Sequence, residues 1–402
     1  MKLELAQFDP EPCGFPKPRV SHLPDKPDIS LSGKWPPELL GRCIPGNYRH
    51  FTRGRYALGE AYRITGVGRS GALLAPAYHC VTMLDPAIAL HADILLYPLH
   101  HDLSPDLTKL DELLVAHGKP VKALLATHYF GLAKDFTELK LWCDTHRIAF
   151  IEDCSHTLFT ETFQAPGTGV LGRFVAASPY KFFACADGGL LYSPDPRPLD
   201  TVTTKSAGVI QELRGLKRTL EKYRSTGPTA ADIGLIDTQL AELGTQPLVA
   251  GRELSTAYTR PSPQYSTAES GTASLFGSRC IVKLSSICDN GKRRRSNYQH
   301  WADAVAELPN CHALFPDLPE NSFPYMFPLH IAFPYPHFYR LKHLGVPVWR
   351  WDEMAVSDCA VAHNYRLHLL HLPCHQALTK IQMQWMITVL AKTLRLPWRS
   401  ER

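Results

Sequence analysis

Between residues 72 and 178 short apolar runs recur: "ALLAPA" (72–77), "ILLYPL" (94–99), "VKALLA" (121–126), "IAFIE" (148–152) and "FVAAS" (174–178). Two of the intervening segments, "SPDLTKLDELLVAHG" and "KDFTELKLWCDTHR", instead space their apolar residues at helical intervals. Short continuous apolar runs suit strands buried on both faces, and a strand, helix, strand rhythm brings each strand back parallel to the last. The pattern therefore predicts an α/β fold with a mostly parallel sheet covered by helices on both sides. With 402 residues, 45% of them hydrophobic, the chain can fill two packed lobes.

The flanks read differently. Residues 1–50 are rich in proline and turn residues and are expected to be an irregular arm. The large domain is expected over 51–250 and a smaller C-terminal domain over 251–402, most securely from 276. In the first, "RGRYALGEAYRITGVG" suits a helix opening near Gly54 and Arg55 and ending at glycines 66 and 68. Helical patterns follow in "VIQELRGLKRTLEKY" and around 231–243, and the polar "RPSPQYSTAESGTAS" reads as a long loop. The smaller domain starts with "CIVKLSSI" and "SNYQHWADAVAEL", passes the strand-like "YMFPLHIAF" and closes with the helix "TKIQMQWMITVLAKTL".

Charge and cysteine usage narrow the class. The formal net charge is only +5 and most basic residues are interspersed with acidic ones, which gives no case for nucleic acid. The basic run in "GKRRRSNYQHW" is expected to be a solvated helix start. Eleven cysteines lie without a CxxC pair or repeated spacing, so neither a disulfide framework nor a metal site is expected and a reducing cytoplasm fits. No signal-like core opens the chain and no apolar stretch is long enough to span a bilayer, so no membrane role is expected.

In open α/β sheets ligands gather beyond the carboxyl ends of the strands, so residues just after the apolar runs carry the chemistry. Asp153 follows one run, Lys181 follows another by a short turn, and Gly54 and Arg55 open the first helix. A lone lysine there is ordinarily a solvated surface group, and a lone aspartate a cap or turn residue. Together, a carboxylate, an amine and a helix N-terminus are what pyridoxal 5'-phosphate requires: an amine to condense with its carbonyl, a carboxylate for its pyridine nitrogen, and N–H groups for its phosphate.

The segments "ALLATHYFGLAKDFTELKLWCDTHRIAFIEDCSHTLFT" and "SPYKFFACADGGLLYS" resemble the DegT/StrS family of sugar aminotransferases. There a "VHxxG" segment precedes a helix and "IEDxAQ", followed by the lysine and a "GxGG" turn; this chain has "THYFG", "IEDCSH", Lys181 and "ADGG". "LHLLHLPCHQALTKIQMQWMITVLAKTL" resembles the family's closing segment.

The resemblance implies the aspartate-aminotransferase-like fold (type I) with pyridoxal phosphate as cofactor. It makes Lys181 the catalytic amine and proton shuttle, and Asp153 the partner of the pyridine nitrogen. His156 falls beside the ring, Ser178 and Gly54 at the phosphate, and Arg55 where the family has threonine. "PAYHC" is the segment that supplies the ring-stacking aromatic, yet Cys80 falls at that position, leaving Tyr78 or His79 to stack, or the ring covered differently. Arg279 becomes a candidate for a substrate phosphate or carboxylate. Because lysine rather than histidine stands at 181, amino transfer is implied, from L-glutamate as the usual donor to a nucleotide-linked keto sugar in polysaccharide or secondary metabolite biosynthesis, by a homodimer with shared sites. Two alternatives stay open: a non-catalytic cofactor-binding relative with a regulatory role, and transfer to a non-sugar acceptor.

Overall fold

A computed structural model of the chain describes residues 3–9, 11, 48–157, 168–195, 197–223, 228–244, 251–285, 287–319 and 322–397. Most of the expected N-terminal arm lies outside the described residues. Its start is not irregular, however: Glu4–Asp9 forms strand β1.

The first lobe follows the expected rhythm. In chain order it contains β2 (Tyr48–Phe51), helix α1 (Gly54–Thr65), β3 (Ala72–Pro76), α2 (Val81–Ala89), β4 (Ile94–Tyr97), α3 (Leu110–His117), β5 (Val121–Thr127), α4 (Thr137–Thr145), β6 (Ala149–Cys154), β7 (Phe174–Ala177) and β8 (Gly189–Tyr192). The seven strands form one sheet in the order β2-β8-β7-β6-β5-β3-β4. The pairs within β4-β3-β5-β6-β7 are parallel, and β8 is antiparallel to both β7 and β2.

Both faces are buried. Leu73, Ala75, Leu125 and Ile151 pack with α1 and α2, whereas Leu74, Leu124, Ala126 and Phe150 face the opposite cluster with Leu110 and Leu139. Successive residues of a strand point to opposite sides, so a strand covered twice must be apolar throughout. That is why these runs stood out in the sequence.

The second lobe follows as α5 (Val209–Tyr223), α6 (Ala230–Gly234), α7 (Ile236–Gly244), β9 (Arg252–Ala257), α8 (Phe276–Leu284), α9 (Ile287–Ala306), β10 (Cys311–Ala313), β11 (Met326–Ile331), α10 (Pro334–Leu344), β12 (Met354–Ala355), α11 (Ala360–His368), β13 (Leu369–Pro373) and α12 (Lys380–Thr393). β10-β11-β13 is an antiparallel sheet, and β1 pairs with β9 and β12 in another. Packing cuts across the expected boundary near 250. Ile236, Leu240 and Leu243 of α7 enter the core of the small lobe with Trp301 and Phe327, whereas Tyr258 joins the core of the large one with Leu3 and Leu5.

The basic run departs from expectation. It lies inside α9 and not at its start, and Arg294 is fully buried. Arg295 donates to the carbonyls of Pro319 and Ser322. Among the described residues, no helix is long and apolar enough to cross a membrane.

Candidate active site

The chain leaves β7 through Ser178 into a short 3-10 turn, Pro179–Lys181, with proline fixing its first position. The Lys181 amide donates to the Ser178 carbonyl (3.0 Å), and the Phe182 amide to that of Pro179 (2.9 Å). Lys181 thereby stands at the carboxyl edge of the sheet, in the wall of a cavity of about 350 Å³ also lined by Gly54, Arg55, Asp153, His156 and Ser178. Six residues singled out from the sequence are thus brought together.

The phosphate side of this cavity is built by close approach. Helix α1 starts without a side-chain cap, so its first N–H groups have no partner within the helix. A Cβ on Gly54 would lie 2.2 Å from Ser178 Oγ and 3.0 Å from Ser155 Oγ, so only glycine brings this helix start against the two hydroxyls. These hydroxyls are themselves hydrogen-bonded, 3.0 Å apart. A Cβ on Gly189 would sit 2.2 Å from the Arg53 carbonyl carbon, and Gly188 adopts φ 149°, which explains the paired glycines after Asp187. Arg53 and Arg55 flank the entrance: Arg53 lies 4.7 Å over the Tyr180 ring, and Arg55 donates to the Gln264 carbonyl.

Asp153 at the end of β6 is almost fully buried and accepts the Ser155 amide at 2.8 Å. His156 is buried with Nδ1 unpartnered among the described residues. Burial, and then the nearby Lys181 and His371, push its pKa well below the usual imidazole value, so it is neutral at pH 7. His371, on β13, is held down to about 3 by burial and by Lys181.

Three residues on this wall carried no recognised signal. The Tyr325 ring lies tilted against His156 (4.7 Å between centroids), and its centroid is 5.5 Å from Lys181 Nζ. Trp351 lies 5.7 Å from His156, and His371 closes the group. All three come from the second lobe, reached only through the fold. One local clue existed for Tyr325. The glycine of "THYFG", Gly131 (φ 88°), has no room for a Cβ, which would fall 2.5 Å from the Tyr325 amide nitrogen and 2.3 Å from the Phe323 carbonyl. The motif turn thus seats residues 323–325, and the Tyr325 amide donates to Phe130 (2.8 Å).

Three residues expected at the site lie elsewhere. Tyr78 is fully buried behind the cavity, its hydroxyl bonded to His371 Nε2 at 2.9 Å, so it does not stack on a ring there. His79 is equally buried: its Nδ1 bonds the Ala77 carbonyl and its Nε2 accepts the Ala355 amide. The segment turns inward too early for either, and of residues 78–80 Cys80 alone lines the cavity. Arg279 lines a separate cavity of about 70 Å³ with His50 and Lys283. The trio His128, Glu152 and Cys154 places possible metal ligands within 4.8 Å of one another. The Glu152 carboxylate is already occupied, accepting from Gly169, Leu171, Gly172 and His128.

Residues 51–233, which contain this lysine turn, match the sequence model of the DegT/DnrJ/EryC1/StrS aminotransferase family. Over that stretch the chain is similar to the members of that family. A relative, the L-glutamine:2-deoxy-scyllo-inosose aminotransferase of Streptomyces kanamyceticus, is 24% identical over 203 residues, which are 50% of this chain. The match spans 43% of that relative's length. Among solved structures, the aminotransferase TlmJ from Streptoalloteichus hindustanus superposes with TM-score 0.60 at 18% identity over 88% of each chain. Helicobacter pylori PseC, an aminotransferase involved in pseudoaminic acid biosynthesis, gives 0.60 at 15% over 88% of this chain and 89% of its own. The PLP form of Spr1654 from Streptococcus pneumoniae gives 0.62 at 13% over 94% and 98%. At such identities the likeness is one of fold, the type I fold of pyridoxal phosphate aminotransferases.

Proposed function

We propose that this chain is a member of the DegT/DnrJ/EryC1/StrS family and a pyridoxal phosphate-dependent aminotransferase that passes an amino group from an amino acid to a keto sugar or related keto polyol. The observation that carries the reading is the placing of Lys181 in one cavity with Asp153, His156, Ser178 and the uncapped start of α1. L-glutamate is the expected donor, with L-glutamine, named in the S. kanamyceticus relative, the natural second choice. A nucleotide-linked sugar remains the expected acceptor.

The residues fit the cofactor by chemistry. Gly54 and Arg55 amides with the Ser178 hydroxyl offer donors for a phosphate at a helix N-terminus, where the helix dipole favours an anion. Asp153 offers a buried carboxylate for a protonated ring nitrogen, and neutral His156 a hydrogen-bonding edge without added charge. When bound, the cofactor supplies an electron sink for the carbon that bears the amino group. Lys181 would hold the cofactor and, once freed from it, its Nζ would be the group that takes up and returns a proton. Its three donors and flexible stem suit both tasks. Tyr325, Trp351 and His371 line the cavity beside that amine.

The working unit on this reading is a homodimer. Val209, Leu213, Leu216 and Leu220 form an exposed apolar stripe along α5, and Phe276 on the adjoining α8 is exposed too. A second copy of the chain is the proposed cover.

The test is the visible spectrum of purified protein with pyridoxal phosphate, before and after excess L-glutamate or L-glutamine, for wild type and Lys181→Ala. A lysine-dependent band that an amino donor bleaches supports the reading. No such band in wild type overturns it, and a band that no donor changes favours a non-catalytic relative.

A further inference from the structure

The turn that carries Lys181 is held from the second lobe by a buried cation. Arg294, fully buried on α9, directs its guanidinium at backbone oxygens: Nη2 donates to the Lys181 carbonyl (3.3 Å), and Nη1 to those of Pro324 (3.0 Å) and Tyr325 (3.2 Å). Its Nε donates to Gln376 Oε1 (2.7 Å), and Gln376 Nε2 donates in turn to the Phe182 carbonyl (2.7 Å). The guanidinium also lies 5.0 Å from the Phe182 ring and 5.7 Å from that of Phe323. No carboxylate pairs with it among the described residues. Burying a guanidinium among neutral groups is costly, and such a group persists where its fork of donors fixes a geometry.

We propose that Arg294, with Gln376, is a positioning residue: it locks the Lys181–Phe182 peptide to the Pro324–Tyr325 strand entry, so that the lysine amine is held at the Tyr325 ring and faces His156. Both anchored segments wall the same amine, and both are tied to one rigid side chain. The row continues along the helix face. Asn297 donates to the His375 carbonyl (2.9 Å) and Trp301 to that of Pro373 (2.9 Å), fixing the loop that presents Gln376. Within the basic run of α9, Arg294 is thus an internal brace, while Lys292 and Arg293 are exposed.

This inference rests on Lys181 being the cofactor-binding amine, and its test separates the two ideas. Purified cofactor-free wild type, Arg294→Met, Arg294→Lys and Gln376→Glu are compared by two readouts. Pyridoxamine phosphate, which cannot condense with an amine, reports binding alone by fluorescence titration. Borohydride trapping of pyridoxal phosphate, read by peptide mass spectrometry, reports the rate of attachment at Lys181. Folding is checked by circular dichroism, and Gln376→Glu keeps a partner for Arg294 while removing the donor to Phe182.

The expected result is pyridoxamine phosphate affinity within about threefold of wild type, with attachment at Lys181 slowed roughly tenfold to a hundredfold in Arg294→Met, as for an ångström-scale misplacement of a reacting group. Arg294→Lys should restore part of the rate, and Gln376→Glu should slow it. Attachment at the wild-type rate in folded Arg294→Met, or attachment and affinity falling together, overturns the positioning role. If Arg294→Met does not fold, Gln376→Glu decides on the same criteria. If wild type itself is not labelled at Lys181, the reading of the site fails and this inference falls with it.

Discussion

Single residues around the lysine show how much depends on the absence of a side chain. Gly189 lets strand β8 touch the start of α1, because a methyl there would overlap the Arg53 carbonyl carbon at 2.2 Å and crowd the Gly54 nitrogen at 2.7 Å. Both contacts are backbone, so neither can rotate away. Gly189→Ala should therefore push the helix start off the Ser178 hydroxyl, at about 1–3 kcal/mol of stability. Its affinity for pyridoxamine phosphate should fall at least about tenfold, while Gly234→Ala, with nothing near its Cβ, should be neutral in both. Thermal melts and a titration check this, and equal affinities would remove the argument for the close approach.

His79 makes a different residue-scale claim. Burial holds its pKa down to about 4, against an unfolded value near 6.5. Between those limits the unfolded chain binds a proton that the folded one refuses, so this site's contribution to stability is full above about pH 6.5 and falls as pH drops toward about 4. By pH 5 the loss is about 2 kcal/mol, from about 1.4 kcal/mol per pH unit. Urea unfolding at pH 7.5 and pH 5 should show wild type losing that much more than His79→Gln; parallel losses would show that His79 titrates normally.

At the scale of elements, legibility followed burial and locality. The five parallel strands were readable because both faces are covered and most of their positions are apolar. Strand β9 was not, since all six of its residues are exposed and it pairs with β1 from a proline-rich region. Lys181, Asp153, Ser178 and Gly54 were readable because each sits where a strand ends or a helix begins. Tyr325, Trp351 and His371 reach the site across the whole chain, and no local pattern announces such a meeting. Tyr78 misled because its place after β3 was right while its side chain turns into the core.

Glu152 gives the element scale its own test. It was read only as part of a strand, yet its carboxylate gathers three amides from residues 169–172 and the His128 imidazole, tying the return into β7 to β5 and β6. Glutamine can accept on one side only and would aim its amide at other donors. Glu152→Gln should cost roughly 3 kcal/mol or more and open the segment at 168–172 to limited proteolysis. Wild-type resistance would show that this segment is held by other contacts.

For the molecule as a whole, α5 presents its faces in reverse. Its inner side carries Glu212, which caps α8 by accepting the Phe276 amide at 2.7 Å, and Gly215, where a Cβ would strike Leu275 at 2.2 Å. Its outer side carries the leucines. A helix that turns its apolar stripe to water in an isolated subunit is ordinarily covered in the assembly. Phe276 on α8, the helix packed against α5, is exposed as well, so two elements already packed together both turn apolar residues to water. A closed twofold pair would bury those residues on both copies with a single self-complementary contact. Leu213→Glu with Leu216→Glu would place two charges on each side of such a contact. Desolvating them costs roughly 3 kcal/mol or more, at least about a hundredfold in dissociation constant. Sedimentation at micromolar concentration should then give twice the chain mass for wild type and the chain mass for the double variant, with unchanged circular dichroism. A monomeric wild type would remove the homodimer from the proposal. A variant that stays dimeric would move the interface to another face while leaving the lysine cavity as described.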